Sequence, residues 1–322
     1  MKKISIIVPV YNEKESIENF YYDLLLPVIK RLPYKFSVIF INDGSSDGTL
    51  HILKDICRKN KNVGLISFSR NFGKENALAA GINEIQKTDA FILLDADGQH
   101  PPKYIKDFIR SWEAGNEVIV AVRSDYKKQG LLKRLGSSLF YKIMGSLGES
   151  NITPGAMDFC LLDHSVAEEL SKLPEHNRIN RGLLSWVGFK RDFVKVTINK
   201  RLAGKPSYNF KKLLKLALDS FASMSITPLA LFGYIGFGIT FFSGILGLFV
   251  IVEQFIMKDP MSINFTGTAC LSIFITFLVG LVLISQSITS LYVSHIHKES
   301  QGRPLYIIDK NNSISIQNEN SK

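Results

Sequence analysis

The sequence predicts an α/β fold, a mostly parallel sheet covered by helices, followed by a membrane-associated part. Three observations predict it. Short apolar runs alternate with amphipathic stretches over residues 1 to about 125, the signature of strand-helix repeats. Polar turns rich in Gly, Asp and Ser follow several of the apolar runs. Two long uncharged apolar stretches then fill much of the C-terminal third.

The first strand is Ile4–Val8. Met1-Lys2-Lys3 ahead of it resembles a signal peptide only briefly, because the apolar run is short and passes into Tyr11-Asn12-Glu13-Lys14-Glu15. Further strands are expected at Phe36–Ile41, Val63–Phe68, Phe91–Leu94 and Val118–Val122, with helical patterns around 15–31, 48–59, 74–86 and 102–114 between them. Parallel strands joined by helices gather their following turns at one sheet edge, where ligands of such folds bind. That edge would collect Pro9-Val10-Tyr11-Asn12-Glu13, Asn42-Asp43-Gly44-Ser45-Ser46-Asp47-Gly48-Thr49 and the turn after Leu94.

The turn after Leu94 carries the chemistry. Asp95 and Asp97 stand one residue apart with Gln99 next in line, and alternation along an extended chain sends them to one side. Hard oxygen donors at a strand end suit Mg²⁺ or Mn²⁺ carrying a phosphate, as in handling a nucleotide diphosphate. An isolated acidic pair is more often a solvated turn, so the other segments must decide.

Lys and Arg outnumber Asp and Glu by 39 to 29, for a net charge of +10. No nucleic-acid motif accompanies that charge, and much of it flanks apolar segments, which favours membrane and phosphates over nucleic acid. Cys57, Cys160 and Cys270 are scattered without metal-like spacing, which fits a reduced compartment.

The apolar runs at about 229–252 and 267–292 are each long enough to cross ~30 Å of hydrocarbon as a helix. Two such runs in succession exceed what a domain of this size would bury, so two transmembrane helices are expected across 226–293. Lys200, Arg201, Lys205, Lys211, Lys212 and Lys215 precede the first run, and Lys298 and Arg303 follow the second. The positive-inside rule then places both termini and the catalytic domain in the cytoplasm, in a multi-pass plasma-membrane protein. Residues 209–225 read as an interfacial amphipathic helix, with Phe210, Leu213, Leu214, Ala217 and Phe221 at helical spacing. A solvated helix on the catalytic domain is the alternative. The expected organisation is thus a catalytic domain over 1–208, the amphipathic helix, the spans, and a cytoplasmic tail from 294 to 322 that is disordered after Asp309.

Four ordered segments, Val8–Glu13, Ile41–Thr49, Ser69-Arg70-Asn71-Phe72-Gly73-Lys74-Glu75 and Asp95–Pro102, together resemble glycosyltransferase family 2. The whole chain is similar to its polyprenyl-phosphate members, the dolichol-phosphate mannose synthases and bactoprenol glucosyltransferases. The resemblance implies a type A, Rossmann-like catalytic domain that binds a nucleotide sugar. Pro9, Tyr11, Glu13, Asp43 and Asp95 would line the nucleotide pocket, Asp43 accepting hydrogen bonds from base or ribose. Asp95, Asp97 and Gln99 would hold Mg²⁺ or Mn²⁺. Arg123, Arg134, Ser138 and Arg201 would hold the acceptor phosphate, a task that suits the guanidinium fork.

Asp97 and Asp158 are the implied catalytic carboxylates, Asp158 standing where a base has been suggested in relatives. A phosphate monoester already loses its second proton near pH ~6, so orienting the sugar is an equal reading for Asp158. Departures from the family pattern are Gly98 for a frequent leucine, and Cys160 and His164 for two arginines. They leave the donor sugar open.

The implied reaction is an inverting, non-processive transfer of one hexose to polyprenyl (undecaprenyl) phosphate at the cytoplasmic leaflet, for glycosylation of a cell-wall or surface polysaccharide. UDP-glucose is the expected donor, with UDP-N-acetylglucosamine or GDP-mannose as alternatives. The Gln-x-x-Arg-Trp motif of processive relatives is missing from Asn180–Trp186. A catalytically inactive membrane scaffold is disfavoured by the intact metal triad. Relatives and the Gly-rich spans admit a homo-oligomer.

Overall fold

The protein is described by a computed structural model covering residues 1–85, 87–124, 155–173, 180–199 and 267–316, with 153 and 252 as isolated positions. The chain divides into two compact units, Met1–Lys212 with Arg303–Lys322, and Leu213–Gly302.

The first unit is built on a seven-stranded sheet. Its strands are β1 (Lys3–Val10), β2 (Lys35–Asn42), β3 (Val63–Ser67), β4 (Ala90–Leu93), β5 (Val118–Arg123), β6 (Ala156–Asp163) and β7 (Arg191–Val196), in the order β3-β2-β1-β4-β6-β5-β7. All five expected strands form. The β1–β2, β2–β3, β1–β4 and β5–β7 pairs are parallel. Only β6 is reversed, antiparallel to both β4 and β5.

The period-2 alternation of β1 sends Ile4, Ile6, Val8 and Val10 into one apolar cluster and Ile7 into the other. Helices cover both faces. Thr49–Lys59 and Ile105–Glu113 pack on the first cluster through Leu53, Ile56, Phe108 and Ile109, and Lys74–Glu84 packs on the second through Ala77, Leu78 and Ala80. Phe108 and Phe159, both fully buried, meet at 4.5 Å between ring centroids. Burial of a ring of that size contributes roughly 2–3 kcal/mol. The expected helix at 15–31 is one helical run with a π-helical middle, Phe20–Leu25, between Ile17–Asn19 and Leu26–Ile29.

Two features differ from the sequence expectation. The segment after Asp309 is ordered through residue 316: Leu65 and Ile314 exchange backbone hydrogen bonds, Phe68 bridges Ile308, and Asp309 donates its amide to Ser67. This segment caps the open edge of β3, whose unpaired backbone groups need partners. The second apolar run lies in a helix longer than expected, Gly267–Ser300, of 34 residues and thus about 51 Å. Counting only residues whose side chains are described, no helix is long and apolar enough to cross a membrane. The amphipathic segment 209–225 and the first run 229–252 lie outside the described residues.

One close approach ties the sheet edge together. Gly44 has φ +66°, and a Cβ there would stand 2.4 Å from the Arg70 carbonyl carbon and 2.6 Å from the Asn71 nitrogen. Backbone cannot yield as a flexible side chain could. Gly44→Ala should therefore cost about 2 kcal/mol or more of stability, read as a lowered denaturation midpoint of the purified protein.

Candidate active site

The turns after β1, β2, β3 and β4 meet at one edge, stitched mainly by side-chain-to-backbone bonds. Asn12 donates its amide to Ser45 Oγ (3.0 Å) and accepts from the Ser46 amide (2.9 Å). Glu13 donates its amide to Thr49 Oγ1 at 3.0 Å, and its carboxylate accepts from Ser16 Oγ. Asp47 accepts from the amides of Thr49 (3.1 Å) and Lys14 (3.2 Å) at the entry to the helix Thr49–Lys59, whose N-cap is Gly48. Tyr11 is half exposed at this edge and Pro9 lies in β1.

Asp43 is buried at 3 % exposure, and its two carboxylate oxygens accept the amides of Phe72 (2.6 Å) and Gly73 (2.9 Å). Burial raises its pKa, while those amides and the Arg70 charge work the other way. These two bonds fix the loop that leads into the helix Lys74–Glu84.

Lys74, the first residue of that helix, occupies the middle of the site. Its Nζ lies 2.7 Å from an Asp95 carboxylate oxygen and 2.8 Å from Asp158. Burial alone would lower the lysine pKa, but the two carboxylates outweigh it and hold the ammonium above the ordinary lysine range. Asp95 and Asp158 come together because β6 runs antiparallel to β4. Extending the Leu93↔Cys160 register by two residues sets Asp158 opposite Asp95. Sequence reasoning missed Lys74. A cation at a helix N-terminus opposes the macrodipole, and that placement was the available signal that acidic partners stood nearby.

Beside them, Asp97 Oδ1 accepts the Gln99 amide at 3.0 Å, and Gly98 between them has φ +73°. A leucine would be strained there, so backbone geometry accounts for that departure. The other departures are absorbed by packing: Cys160 is buried and His164 stacks on Phe91.

Asp95, Asp97 and Gln99 supply two carboxylates and an amide oxygen from one turn, a hard donor set. Among the described residues no group of three or more His, Cys, Asp or Glu could by itself hold a metal. Two carboxylates and one amide oxygen are an incomplete shell, so an ion held there would need further oxygen ligands from outside the turn. The Lys74 ammonium already marks the position as one that demands positive charge.

Arg123 ends β5, and its buried Nε has no hydrogen-bond partner among the described residues. Asn199, two residues before Arg201, donates its amide to the Gln99 carbonyl at 3.1 Å. Arg134, Ser138 and Arg201 themselves lie outside the described residues.

A parallel sheet with one reversed strand, and an acidic turn at the carboxyl end of β4, defines a type A glycosyltransferase. The chain belongs to glycosyl transferase family 2, whose model matches residues 5–171. It is 37% identical over 306 residues to the bactoprenol glucosyl transferase of Shigella phage SfV, covering 95% of this chain and 98% of the relative. It is 36% identical over 308 residues to a prophage bactoprenol glucosyl transferase homolog of Escherichia coli K12, covering 96% and 99%. Among solved structures, a mannosyltransferase of Pyrobaculum calidifontis in complex with GDP-Man and Mn²⁺ matches with TM-score 0.46 and 14% identity, over 94% of this chain and 88% of that one.

His100 closes the floor of the site, 6 % exposed and stacked on Phe159. Asp95 donates its amide to His100 Nδ1 at 3.4 Å, which requires an unprotonated Nδ1. Burial pushes its pKa below 6.5, with Lys74 acting in the same direction and Asp95 opposing. A lowered folded-state pKa means the unfolded chain binds the extra proton first. Stability from the neutral ring is therefore complete above pH 6.5 and is lost as pH falls below it. Melting curves between about pH 7.5 and about pH 5 should show a steeper loss in the wild type than in His100→Phe.

Proposed function

We propose that this glycosyltransferase moves one hexose from a nucleotide sugar, UDP-glucose in the first instance, to a polyprenyl phosphate at the cytoplasmic face of a membrane. The observation that carries the reading is the Asp95–Lys74–Asp158 cluster beside the Asp97–Gln99 turn, in a chain that matches bactoprenol glucosyl transferases over 95% or more of its length.

In this reaction a lipid-phosphate oxygen attacks the anomeric carbon in line, the bond from that carbon to the diphosphate oxygen breaks, and the configuration inverts. The nucleophile is largely ionised at neutral pH, so positioning and electrostatics carry the rate. Asp95, Asp97 and Gln99 would hold the Mg²⁺ or Mn²⁺, which supplies charge neutralisation for the departing diphosphate. Lys74 keeps a second positive charge at the same place. Asp158, held by that ammonium, orients the sugar. Arg123, whose buried Nε has no partner among the described residues, serves the acceptor phosphate together with Arg134, Ser138 and Arg201.

Membrane attachment through the 229–252 and 267–292 runs belongs to the same reading. Supporting it, Leu271, Ile275, Val282, Val293 and Ile296 are exposed on the helix Gly267–Ser300, and residues 267–292 contain no charged side chain.

The test is glycosyl-lipid formation from a panel of labelled nucleotide sugars with undecaprenyl phosphate and Mg²⁺ or Mn²⁺. UDP-glucose should label the lipid; labelling from UDP-N-acetylglucosamine or GDP-mannose alone would reassign the donor, and no labelling from any would overturn the reading. Asp97→Ala should reduce the metal-dependent rate by about a hundredfold or more, and undiminished turnover would remove Asp97 from the metal site. Arg201→Ala should raise KM for lipid phosphate about tenfold while KM for the nucleotide sugar stays constant.

A further inference from the structure

The segment 303–316 contacts the end of β3 and the residues that lead into the active-site loop. Tyr306 stacks on Phe68 with ring centroids 5.2 Å apart and planes 10° from parallel. Phe68 in turn meets Phe72 edge-on at 5.7 Å. Ser69 donates its amide to the Ile307 carbonyl at 3.0 Å, and Asp309 donates its amide to Ser67 at 2.7 Å. Ser67 donates its amide to Ser313 Oγ at 3.0 Å. These bonds fall on residues 65–69, immediately before the loop that presents the Phe72 and Gly73 amides to Asp43 and places Lys74 between Asp95 and Asp158; outside that stretch, Lys54 Nζ donates to Asn312.

We infer that segment 303–316 is a strap that positions the donor side of the site, with Tyr306 as its positioning residue acting through Phe68 and Phe72. The aromatic chain Tyr306–Phe68–Phe72 fixes the loop from below, and the bonds to 65–69 fix its entry. Loosening the strap frees the Phe72 and Gly73 amides from Asp43 and lets Lys74 drift from its carboxylates. The groups held by this loop, Asp43, Lys74, Asp95 and Asp158, are donor-side in the reading above, so the effect is expected on the nucleotide sugar. Tyr306 Oη also donates to Glu84 at 3.3 Å, an exposed bond the positioning does not need.

The inference rests on the nucleotide-sugar reading above, and the experiment separates the two. Full-length wild type, Tyr306→Ala and Tyr306→Phe are compared by calorimetric UDP binding in Mn²⁺, by KM for each substrate, and by amide hydrogen exchange. Tyr306→Ala should weaken UDP binding and raise KM for the nucleotide sugar about three- to tenfold, the worth of an aromatic pair. KM for lipid phosphate should move less than about twofold. Exchange at Phe72 and Gly73 should quicken. Tyr306→Phe, which keeps the ring, should match the wild type in all three.

Should wild type bind no UDP, the nucleotide reading fails. If wild type binds UDP and Tyr306→Ala binds it equally well, the strap inference fails alone. Equal losses toward both substrates, or a Tyr306→Phe defect as large as that of Tyr306→Ala, would also overturn it. Ile314→Pro, which removes the amide donated to Leu65, gives an independent variant if Tyr306→Ala does not fold. It should reproduce the selective loss of UDP affinity.

Discussion

Two carboxylates placed face to face across neighbouring strands require a cation between them. Asp95 lies two residues past the end of β4 and Asp158 sits in β6, and the reversed direction of β6 sets them opposite one another. Like charges that close, partly withdrawn from water, would drive one carboxyl to protonate or the strands apart. Lys74 meets the requirement, at 2.7 and 2.8 Å. Its position depends in turn on the loop before it, which Asp43 grips by two amides, and on Gly44, whose lack of a Cβ lets the two loops touch. The sheet edge is one electrostatic assembly, and each part is placed by a neighbour's backbone.

That assembly accounts for the logic of the chemistry proposed. Transfer between two phosphates offers little for a general base to do and much for fixed positive charge. The edge is arranged accordingly. Acidic groups there are held by ammonium, amides or, in the proposed reaction, a metal ion, and Arg123 has a buried guanidinium nitrogen without a partner among the described residues. His100, kept neutral by burial, adds an aromatic floor without adding charge.

How much of this was legible in the sequence follows from where the information resides. The five strands expected were read from runs such as Ile4–Val8 and Phe36–Ile41, whose apolar character records burial on both faces of a parallel sheet. β6 carries an aspartate at its third residue and another at its end, and β7, an edge strand, has three charged residues among its six. β7 makes no apolar run, and the run in β6, Phe159–Leu162, is four residues long between two aspartates, so neither strand was expected. The metal turn was legible because its three donors lie within five residues. Asp158 was reached only through family resemblance and Lys74 was not reached, because their meeting depends on strand order, a long-range property that local pattern does not encode. The ordered 309–316 segment was read as disordered because its composition is polar. Its order comes from the edge of β3, more than 200 residues earlier in the chain, where unpaired backbone groups supply partners that composition cannot announce.

Edge protection of β3 could have been met by any short polar strand. What distinguishes this one is its chain position, beginning three residues after the helix Gly267–Ser300 ends. A segment used only as an edge cover needs backbone hydrogen bonds alone, yet this one adds a ring stacked at 10° on Phe68 and a hydroxyl, Ser313 Oγ, accepting the Ser67 amide. Those side-chain contacts converge on the residues before Phe72, Gly73 and Lys74 rather than spreading along β3. Specificity of that kind costs side-chain entropy and gives an edge cover nothing in return. Its physical effect is to hold still the loop on which the Lys74 bridge depends.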